Sequence, residues 1–362
     1  LYFLKGCASL ENMKGSFKMT DMRAIGVTRY RPIEDPESFT TFFEPKSTPT
    51  NHDLLVKIIA TSVNPVDTGV RQGIQTPLKQ PKVLGWDAYG TVEATGEAVS
   101  LFQPGDRVMY AGSFIRPGTD SEYQLVDERI VGHAPKHLKP AEIAAMPLTS
   151  LTAWEALFEQ LHIPVDNAAE THGKTILIIN GAGGVGSVAT QLARMAGLKV
   201  IATASRPETI AWTKAHGANE VVNHRQDLVQ QVRDLGVTFV DYILELSDLN
   251  QHWHEITELI APSGHIVSIT GSDQPIDLRA LKQKRATFAW EWMYTKSYYQ
   301  TADMISQHKI LEQVSQLLDS GQLRSTLTKT LFPINADNLR AAHRLVESHH
   351  MMGKVVITNE HE

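Results

Sequence analysis

The stretch from Lys174 to Arg206, KTILIINGAGGVGSVATQLARMAGLKVIATASR, leaves a chain few ways to fold. Residues 176–179 form a short apolar run that predicts a buried strand. At Asn180 the run meets a cluster of glycines, Gly181, Gly183, Gly184 and Gly186, with Val185 among them. Val188, Leu192 and Met195 then recur at helical spacings of four and three. A second strand is predicted over 198–202, running on to Ser205 and Arg206. Strand, tight glycine turn, helix and strand is the order that a dinucleotide-binding βαβ unit requires.

Each glycine has a job in that unit. Gly181 lets the chain turn sharply off the strand, Gly183 leaves room for a pyrophosphate, and Gly186 lets the helix lie against the sheet. The amides of the helix start, around Gly184 and Val185, then face the diphosphate, where the helix dipole also favours negative charge. The alternative is a glycine-rich turn without a ligand; the strand before it and the helix and strand after it argue for the ligand. An NAD site presents Asp or Glu about 20 residues after the glycines, to accept from the ribose hydroxyls. Here the second strand ends instead in Ala204, Ser205 and Arg206, with Lys214 on the next helix. A hydroxyl and a guanidinium suit a 2′-phosphate, so NADPH is favoured over NADH. The alternative for Arg206 is an ordinary solvated charge.

A chain of 362 residues has room for two domains with full cores. Lys and Arg total 34 against 40 Asp and Glu, and the net charge of -6 argues against a large nucleic-acid footprint. No uninterrupted apolar stretch is long enough to span a bilayer, so no membrane partner is expected. Cys7 is the only cysteine, which excludes an intrachain disulfide and a cysteine-rich zinc lobe and is compatible with a reducing, cytoplasmic setting. The fifteen histidines form no HExxH or comparable cluster. His252 and His254, two apart, read as solvated helix residues that do not share a face. Residues 1–21 begin without Met and lack the apolar core of a secretory signal. They read as vector-encoded sequence ahead of a start at Met19 or Met22, with a native disordered extension as the alternative.

Before the glycine unit, strands are predicted over 22–28, 54–62, 89–94, 107–110, 122–126 and 130–133. A polar, proline-marked connector fills 29–53, and Asn64-Pro65-Val66-Asp67 leads into a glycine-containing loop. Many short strands with irregular turns predict a compact, partly closed β domain. Residues 140–161 read as helix interrupted at Pro147, with Thr149 to Thr152 at a new helix start. Beyond Arg206, strands near 220–223, 239–244, 265–269 and 286–289 alternate with helices, which predicts a parallel sheet covered on both faces. A strand near 323–331, a helix over 335–348 and a last strand over 354–357 close the chain.

SVNPVD at 62–67, GDRV at 105–108, AEIAAMPLTSLTAWEAL at 141–157, NGAGGVGSVATQLA at 180–193 and GKVVI at 353–357 follow one another in a specific order. In that order the chain resembles the medium-chain dehydrogenase/reductase superfamily, in particular its zinc-independent quinone-oxidoreductase branch and the group called zinc-type alcohol dehydrogenase-like. The resemblance implies an α/β architecture. A chaperonin-10-like, β-rich catalytic domain would span 22–147, a central Rossmann domain with a doubly wound parallel sheet 148–295, and a return to the catalytic domain 296–362. It further implies an NADPH-dependent reductase acting on a small-molecule electron acceptor, a quinone, an enone or a related activated carbonyl, commonly as a homodimer. Asn64 would approach the nicotinamide and Thr152 would help to form its pocket. Ser205 and Arg206 match the adenosine-phosphate region, and Lys354 matches a late basic position near the cofactor. Asn223 falls in a segment the family writes as NYR; here it is NHR, with His224 in place of an aromatic contact. The zinc-dependent branch carries a cysteine near Asn64 and Gly-His-Glu near Gly85. This chain has Asn64 and Gly85-Trp86-Asp87, so catalytic zinc is disfavoured and no metal ligand is assigned.

For chemistry without a metal, the candidate catalytic residues are Asn64, Asp67, Trp86 and Tyr110. Asn64 has an amide that can donate to a substrate oxygen or position the nicotinamide, or else tie down its loop. Asp67 reads as an orienting group or a plain turn residue. Trp86 and Tyr110 are either walls for a planar substrate or core of the β domain. Trp290, Trp292 and Tyr294 alternate as one strand face and a cleft rim or partner surface. No residue is assigned to proton delivery. The competing readings are an NADP-dependent alcohol dehydrogenase and a non-catalytic NADPH-binding protein.

Overall fold

A computed structural model describes residues 21–165 and 167–360. The expected leader over 1–21 lies outside the described residues except for Asp21, which opens the first strand. The N-terminal part supplies β1 (Asp21–Val27), β2 (Thr40–Pro45), β3 (Asp53–Val63), β4 (Lys82–Val83) and β5 (Ala88–Thr95). It continues through β6 (Arg107–Tyr110), β7 (Tyr123–Asp127) and β8 (Val131–His133). β3 is the spine, antiparallel to both β5 and β7, with Leu54, Val56, Ile58 and Ala60 buried at alternate positions. β1 pairs with β2 and β4 in a small separate sheet.

Two local readings are corrected here. The proline-marked connector contains β2, a strand with no buried residue. Lying at a sheet edge, it has no inward face to impose an apolar alternation on its sequence. The expected glycine loop after Asn64 is a helix, α1 (Pro65–Gly73). Pro65 stands at its first position, where a missing N–H costs nothing, and the Asp67 carboxylate accepts from the Asn64 backbone N–H at 2.7 Å.

Two short helices, α2 (Pro140–Ala144) and α3 (Pro147–Trp154), lead out of this domain. Pro147 starts the second, so Thr149 and Thr152 do not cap it. Their hydroxyls instead bond back to helix carbonyls, Thr152 to Leu148 at 2.8 Å. A one-turn π-helical continuation, Glu155–Gln160, and a short helix α4 (Ala168–Thr171) precede the next sheet.

That sheet contains β9 (Thr175–Ile179), β10 (Lys199–Thr203), β11 (Glu220–Val222), β12 (Val240–Glu245), β13 (Ile260–Ser268) and β14 (Thr287–Trp290). All pairs are parallel and the order is β11-β10-β9-β12-β13-β14. Helices α5 (Gly184–Met195), α6 (Pro207–Ala215), α7 (Leu228–Asp234) and α8 (Leu249–Leu259) make the crossovers. β9 shows why its sequence is apolar throughout. Ile176 and Ile178 face the core shared with Val188 and Leu192 of α5, while Leu177 and Ile179 face a second core with Ile256 of α8. His252, read as solvated, is buried on α8. Strand order reverses between β9 and β12, and a ligand cleft is expected beyond their C-terminal ends.

The chain then returns through α9 (Thr295–Tyr299), α10 (Ile305–Asp319), β15 (Leu327–Leu331), α11 (Ala336–Glu347) and β16 (Lys354–Thr358). β16 pairs with β3, so the last strand of the chain completes the sheet of the first domain. Just before it, the Gly353 N–H donates to Ala182 O at 2.9 Å, which ties the returning strand to the glycine turn.

The glycine turn tolerates no added atom at Gly186. A Cβ there would sit 2.1 Å from Asn180 O and 2.8 Å from Gly181 Cα, both backbone atoms. Gly186→Ala is expected to cost about 1–3 kcal/mol of stability, the range for overpacked sites, and to weaken dinucleotide binding. Gly69→Ala, with nothing within 4 Å of its Cβ, serves as the neutral control. Urea unfolding and nucleotide titration of both variants check this; equal behaviour would show that the turn can relax.

Candidate active site

A cleft of about 680 Å³ lies between the C-terminal ends of the parallel strands and the first domain. One end is built on the glycine turn. The sharp bend is made by Asn180, whose φ is 72°, and not by Gly181 as the sequence suggested. Gly181 is required for closeness: a Cβ on it would come within 2.8 Å of Ala202 Cβ and 2.9 Å of Thr213 Cγ2. Gly183 is the N-cap of α5, and Gly183, Gly184, Val185 and Gly186 all line the cleft. The first amides of α5 have no partner within the helix and present a positive helix end to the cavity.

Ser205 and Arg206 line the same end. The Arg206 guanidinium donates to His350 O at 2.9 Å and pairs with Glu208, so it is held against the returning C-terminal segment. His224 also lines the wall, its pKa lowered first by burial and then by the neighbouring His252, Arg225 and Arg206. Asn223 does not reach the cleft. Its backbone N–H donates to Gln231 and its side-chain oxygen accepts from Arg225 N at 3.0 Å, so it shapes the turn that presents His224. Arg225 and His349 complete this end, and the sequence reading missed both. Arg225 stood beside His224 in the same motif, whereas His349 arrives from a segment more than a hundred residues away with no local signal.

At the other end Asn64, Thr152 and Lys354 come together. What joins Asn64 and Lys354 is Asp87, fully buried just before β5. Its Oδ2 accepts from Ser62 Oγ at 2.7 Å, Asn64 Nδ2 at 2.8 Å and Lys354 Nζ at 2.9 Å, while Oδ1 accepts from Leu148 N at 2.7 Å. Lys354 Nζ also donates to Asn64 Oδ1. Both ends of the Asn64 amide are therefore fixed, with the oxygen toward the lysine and the nitrogen toward the aspartate. Asp67 lies behind this layer rather than on the wall, accepting from Asn64 N and from Gly85 N at 3.0 Å. Burial, opposed by those N–H groups and by Lys354, pushes its pKa up to about 7.

Trp86 and Tyr110 are core, not wall. Both are buried, and Trp86 stacks on Phe114 with ring centroids 4.9 Å apart. The aromatic side of the cleft is carried instead by Trp292 and Tyr294. Tyr294 packs edge-on against Phe114 and Trp86, at 5.0 and 6.2 Å. Its hydroxyl is buried without a hydrogen-bond partner, and burial together with the charges of Asp67 and Asp87 holds its proton well beyond the usual phenol range. Of Trp290, Trp292 and Tyr294, only the last is buried; the two tryptophans keep 49% and 40% of their surface exposed.

This geometry agrees with what the chain is similar to. The model of the alcohol dehydrogenase GroES-like domain matches residues 50–136, and that of the zinc-binding dehydrogenase domain matches residues 216–357. A zinc-type alcohol dehydrogenase-like protein of Staphylococcus aureus is 45% identical over 336 residues, covering 93% of this chain and 99% of its own. The chain belongs to the medium-chain dehydrogenase/reductase superfamily. A quinone oxidoreductase of Lama guanicoe is 34% identical over 233 residues, 64% of this chain and 67% of that one. The crystal structure of a putative zinc-dependent alcohol dehydrogenase from Rhizobium etli superposes with a TM-score of 0.89 at 47% identity, covering 95% of this chain and 99% of the other.

This medium-chain reductase fold therefore pairs a GroES-like domain with a nucleotide-binding, Rossmann-type sheet. Among its described residues no helix is long and apolar enough to cross a membrane. The names of its relatives imply zinc, but the residues present do not fit it. Asn64 and Trp86 offer neither thiolate nor imidazole. Every oxygen of Asp87 is already bonded, one of them to an ammonium that would repel a dication. No group of three or more His, Cys, Asp or Glu is arranged for a metal among the described residues.

Among the described residues Lys354 supplies the only cation bonded to Asp87. Lys354→Met is expected to lower the unfolding free energy by about 3–5 kcal/mol, the cost of leaving a buried charge unpaired. The double variant with Asp87→Asn should recover part of that loss. Denaturant unfolding of the two single variants and the double variant measures the coupling, and strictly additive losses would show that the pair is not a unit.

Proposed function

We propose that this chain is an NADPH-dependent reductase that delivers hydride to a quinone, an enone or a related activated carbonyl without catalytic zinc. The observation that carries this reading is the Asn64–Asp87–Lys354 network at the inner end of the cleft, with an amide where the resemblance puts the zinc branch's cysteine and an ammonium bonded to the carboxylate beside it. Alcohol oxidation calls for a strong Lewis acid or base at the substrate hydroxyl. An electron-poor acceptor needs only alignment and donors for the charge that develops on its oxygen.

When bound, the reduced dinucleotide supplies the hydride. The amides at Gly183, Gly184 and Val185 would hold its diphosphate. Ser205 and Arg206, with Arg225 and His349 beside them, would hold the 2′-phosphate, because a guanidinium gives charge-assisted bonds that a ribose hydroxyl cannot match. Thr152 and the fixed amide of Asn64 would orient the nicotinamide. Trp292 and Tyr294 give a planar acceptor an aromatic face and restrict water. Asn64 and Lys354 thus serve as positioning and electrostatic groups, and Asp67 as the support that sets the Asn64 backbone.

The quinone oxidoreductase relative supports the acceptor class, while the alcohol dehydrogenase-like relatives keep alcohol oxidation as the competing reading. A homodimer is part of the proposal: β14 is one of the two edges of the parallel sheet, with Trp290, Trp292 and Tyr299 exposed along and beyond it.

The test is turnover of NADPH and NADH against quinones, enones, aldehydes and alcohols after exhaustive chelation, with metal content measured in parallel. NADPH oxidation stimulated by a quinone or enone and insensitive to chelation is expected. Activity that disappears with zinc and returns only with zinc, or turnover confined to alcohols, would overturn the reading. Arg206→Ala should raise the KM for NADPH about tenfold or more, equivalent to about 1.4 kcal/mol, and leave that for NADH unchanged. An equal change for both cofactors would remove Arg206 from phosphate recognition.

A further inference from the structure

Reduction of a carbonyl acceptor consumes a proton as well as a hydride; the Lys354 ammonium is committed to Asn64 and Asp87, and the Tyr294 hydroxyl has no hydrogen-bond partner to reload it. Glu291, immediately after β14, lines the cleft beside Trp292 and Met293. It is only 5% exposed, and its Oε1 is buried with no hydrogen-bond partner. Its carboxyl group adjoins that of Glu155, on the π-helical turn behind the cleft, and the two act on each other's protonation.

Glu155 is 3% exposed and leads outward. Its Oε1 lies 3.1 Å from Lys296 Nζ and accepts from Gln307 Nε2, also at 3.1 Å. Lys296 in turn donates to both oxygens of Glu159, at 2.8 and 2.7 Å, and to Ser306 Oγ at 2.8 Å. The Glu159 side chain is 37% exposed. A line of ionisable groups thus runs from solvent at Glu159, through Lys296 and Glu155, to Glu291, a cleft-lining residue with a buried, unpartnered carboxyl oxygen.

We propose that Glu291 is the proton donor to the reduced acceptor and that it is reloaded from solvent along the path Glu159, Lys296 and Glu155. The proposal rests on the reductase reading above. As hydride from the reduced nicotinamide dinucleotide adds to the acceptor carbon, the displaced π electron pair moves onto the acceptor oxygen. The Glu291 O–H bond breaks and its proton bonds to that oxygen. The carboxylate left behind takes a proton from the Glu155 side of the relay, and Glu159 replaces it from water. One acceptor, one hydride and one solvent proton are consumed, giving the oxidised dinucleotide and, from an enone, the enol, or, from a quinone, a keto tautomer that rearomatises to the hydroquinone by moving its ring C–H proton to the second oxygen through water.

The charges around Glu291 support a protonated resting state. Burial pushes its pKa up to about 9, followed by the negative charge of Glu155 and then that of Glu159, with Lys296 opposing. Glu155 is raised as well, again mainly by burial, with Lys296 and Gln307 opposing. Two neighbouring carboxyl groups in a dry site resist ionising together, which favours one proton on the pair.

The experiment is the pH dependence of quinone and enone reduction by the full-length chain, with NADPH affinity measured separately by fluorescence. Wild-type kcat should fall as pH rises through about 9, where Glu291 loses its proton. Glu291→Gln keeps the shape and removes the proton; kcat is expected to drop about 100-fold, the lower range for general acid catalysis, with the alkaline fall abolished and NADPH affinity unchanged. Glu159→Gln, at the solvent end, should leave single-turnover hydride transfer unchanged and slow steady-state turnover. Wild-type kcat and an unchanged pH profile in Glu291→Gln would overturn the assignment while leaving the reductase reading intact. Wild-type protein inactive with every acceptor would overturn both. If Glu291→Gln does not fold, Glu159→Gln decides, and steady-state rates equal to wild type at all pH values would overturn the relay.

Discussion

The buried contact between Lys354 and Asp87 holds the molecule in the shape on which the cleft depends. The two residues are 267 apart in sequence and their charged groups lie 2.9 Å apart, with side chains 4% and 0% exposed. Removing two such charges from water is costly, and their mutual attraction repays it only when the remaining hydrogen-bonding capacity is filled. Asp87 meets that condition through Ser62, Asn64 and the Leu148 N–H, so a single carboxylate gathers the end of β3, the start of α3 and the last strand. Lys354 also packs against the glycine turn: a Cβ on Gly184 would lie 2.9 Å from its Cδ. The nucleotide-binding turn and the inner end of the cleft are thereby fixed relative to each other by one side chain.

Around that anchor the cleft divides by charge. Its outer end collects the open amides of α5 with Arg206, Arg225 and His349, a positive region on a chain whose net charge is -6. Local field, not net charge, decides which ligands such a site attracts. The inner end holds Asp87 and Lys354 as a compensated pair, beside an aromatic wall formed by Trp292 and Tyr294. Next to that wall Glu291, with Glu155 and Lys296 behind it, forms a third group of ionisable side chains, buried with imperfect compensation. Glu291 Oε1 and Gln307 Oε1 both lack partners there. Buried polar groups left unpaired carry a free-energy cost, and that cost sets this group apart from the fully satisfied network at Asp87.

The glycine turn was legible in the sequence because its constraint is local. A backbone that passes 2.1 Å from where a Cβ would sit admits only Gly186, and the apolar run of β9 records burial on both faces. Ser205 and Arg206 were legible for the same reason, since a strand end places them a fixed distance from the turn. β2 was missed because an edge strand without a buried face carries no alternation. α1 was missed because its glycines outweighed the cap formed by Asp67. Trp86 and Tyr110 were left between substrate wall and core, and they are core, since a large aromatic gives the same one-letter signal in either place. Glu155 and Glu291 carried no signal at all, each being an ordinary charged residue beside an aromatic run.

By itself the sequence determined the parallel sheet, the dinucleotide turn, the strand-rich first domain and the family, because each of these rests on spacings within a few tens of residues. The tertiary structure alone decided that Asp87 and Lys354 meet, that His349 joins the outer end of the cleft, and that Glu155 and Glu291 adjoin beside it. These are contacts between residues far apart in sequence, the first two made when the chain returns to its first domain. Their free energies depend on burial and on the partners found there, neither of which is a property of the residues in isolation.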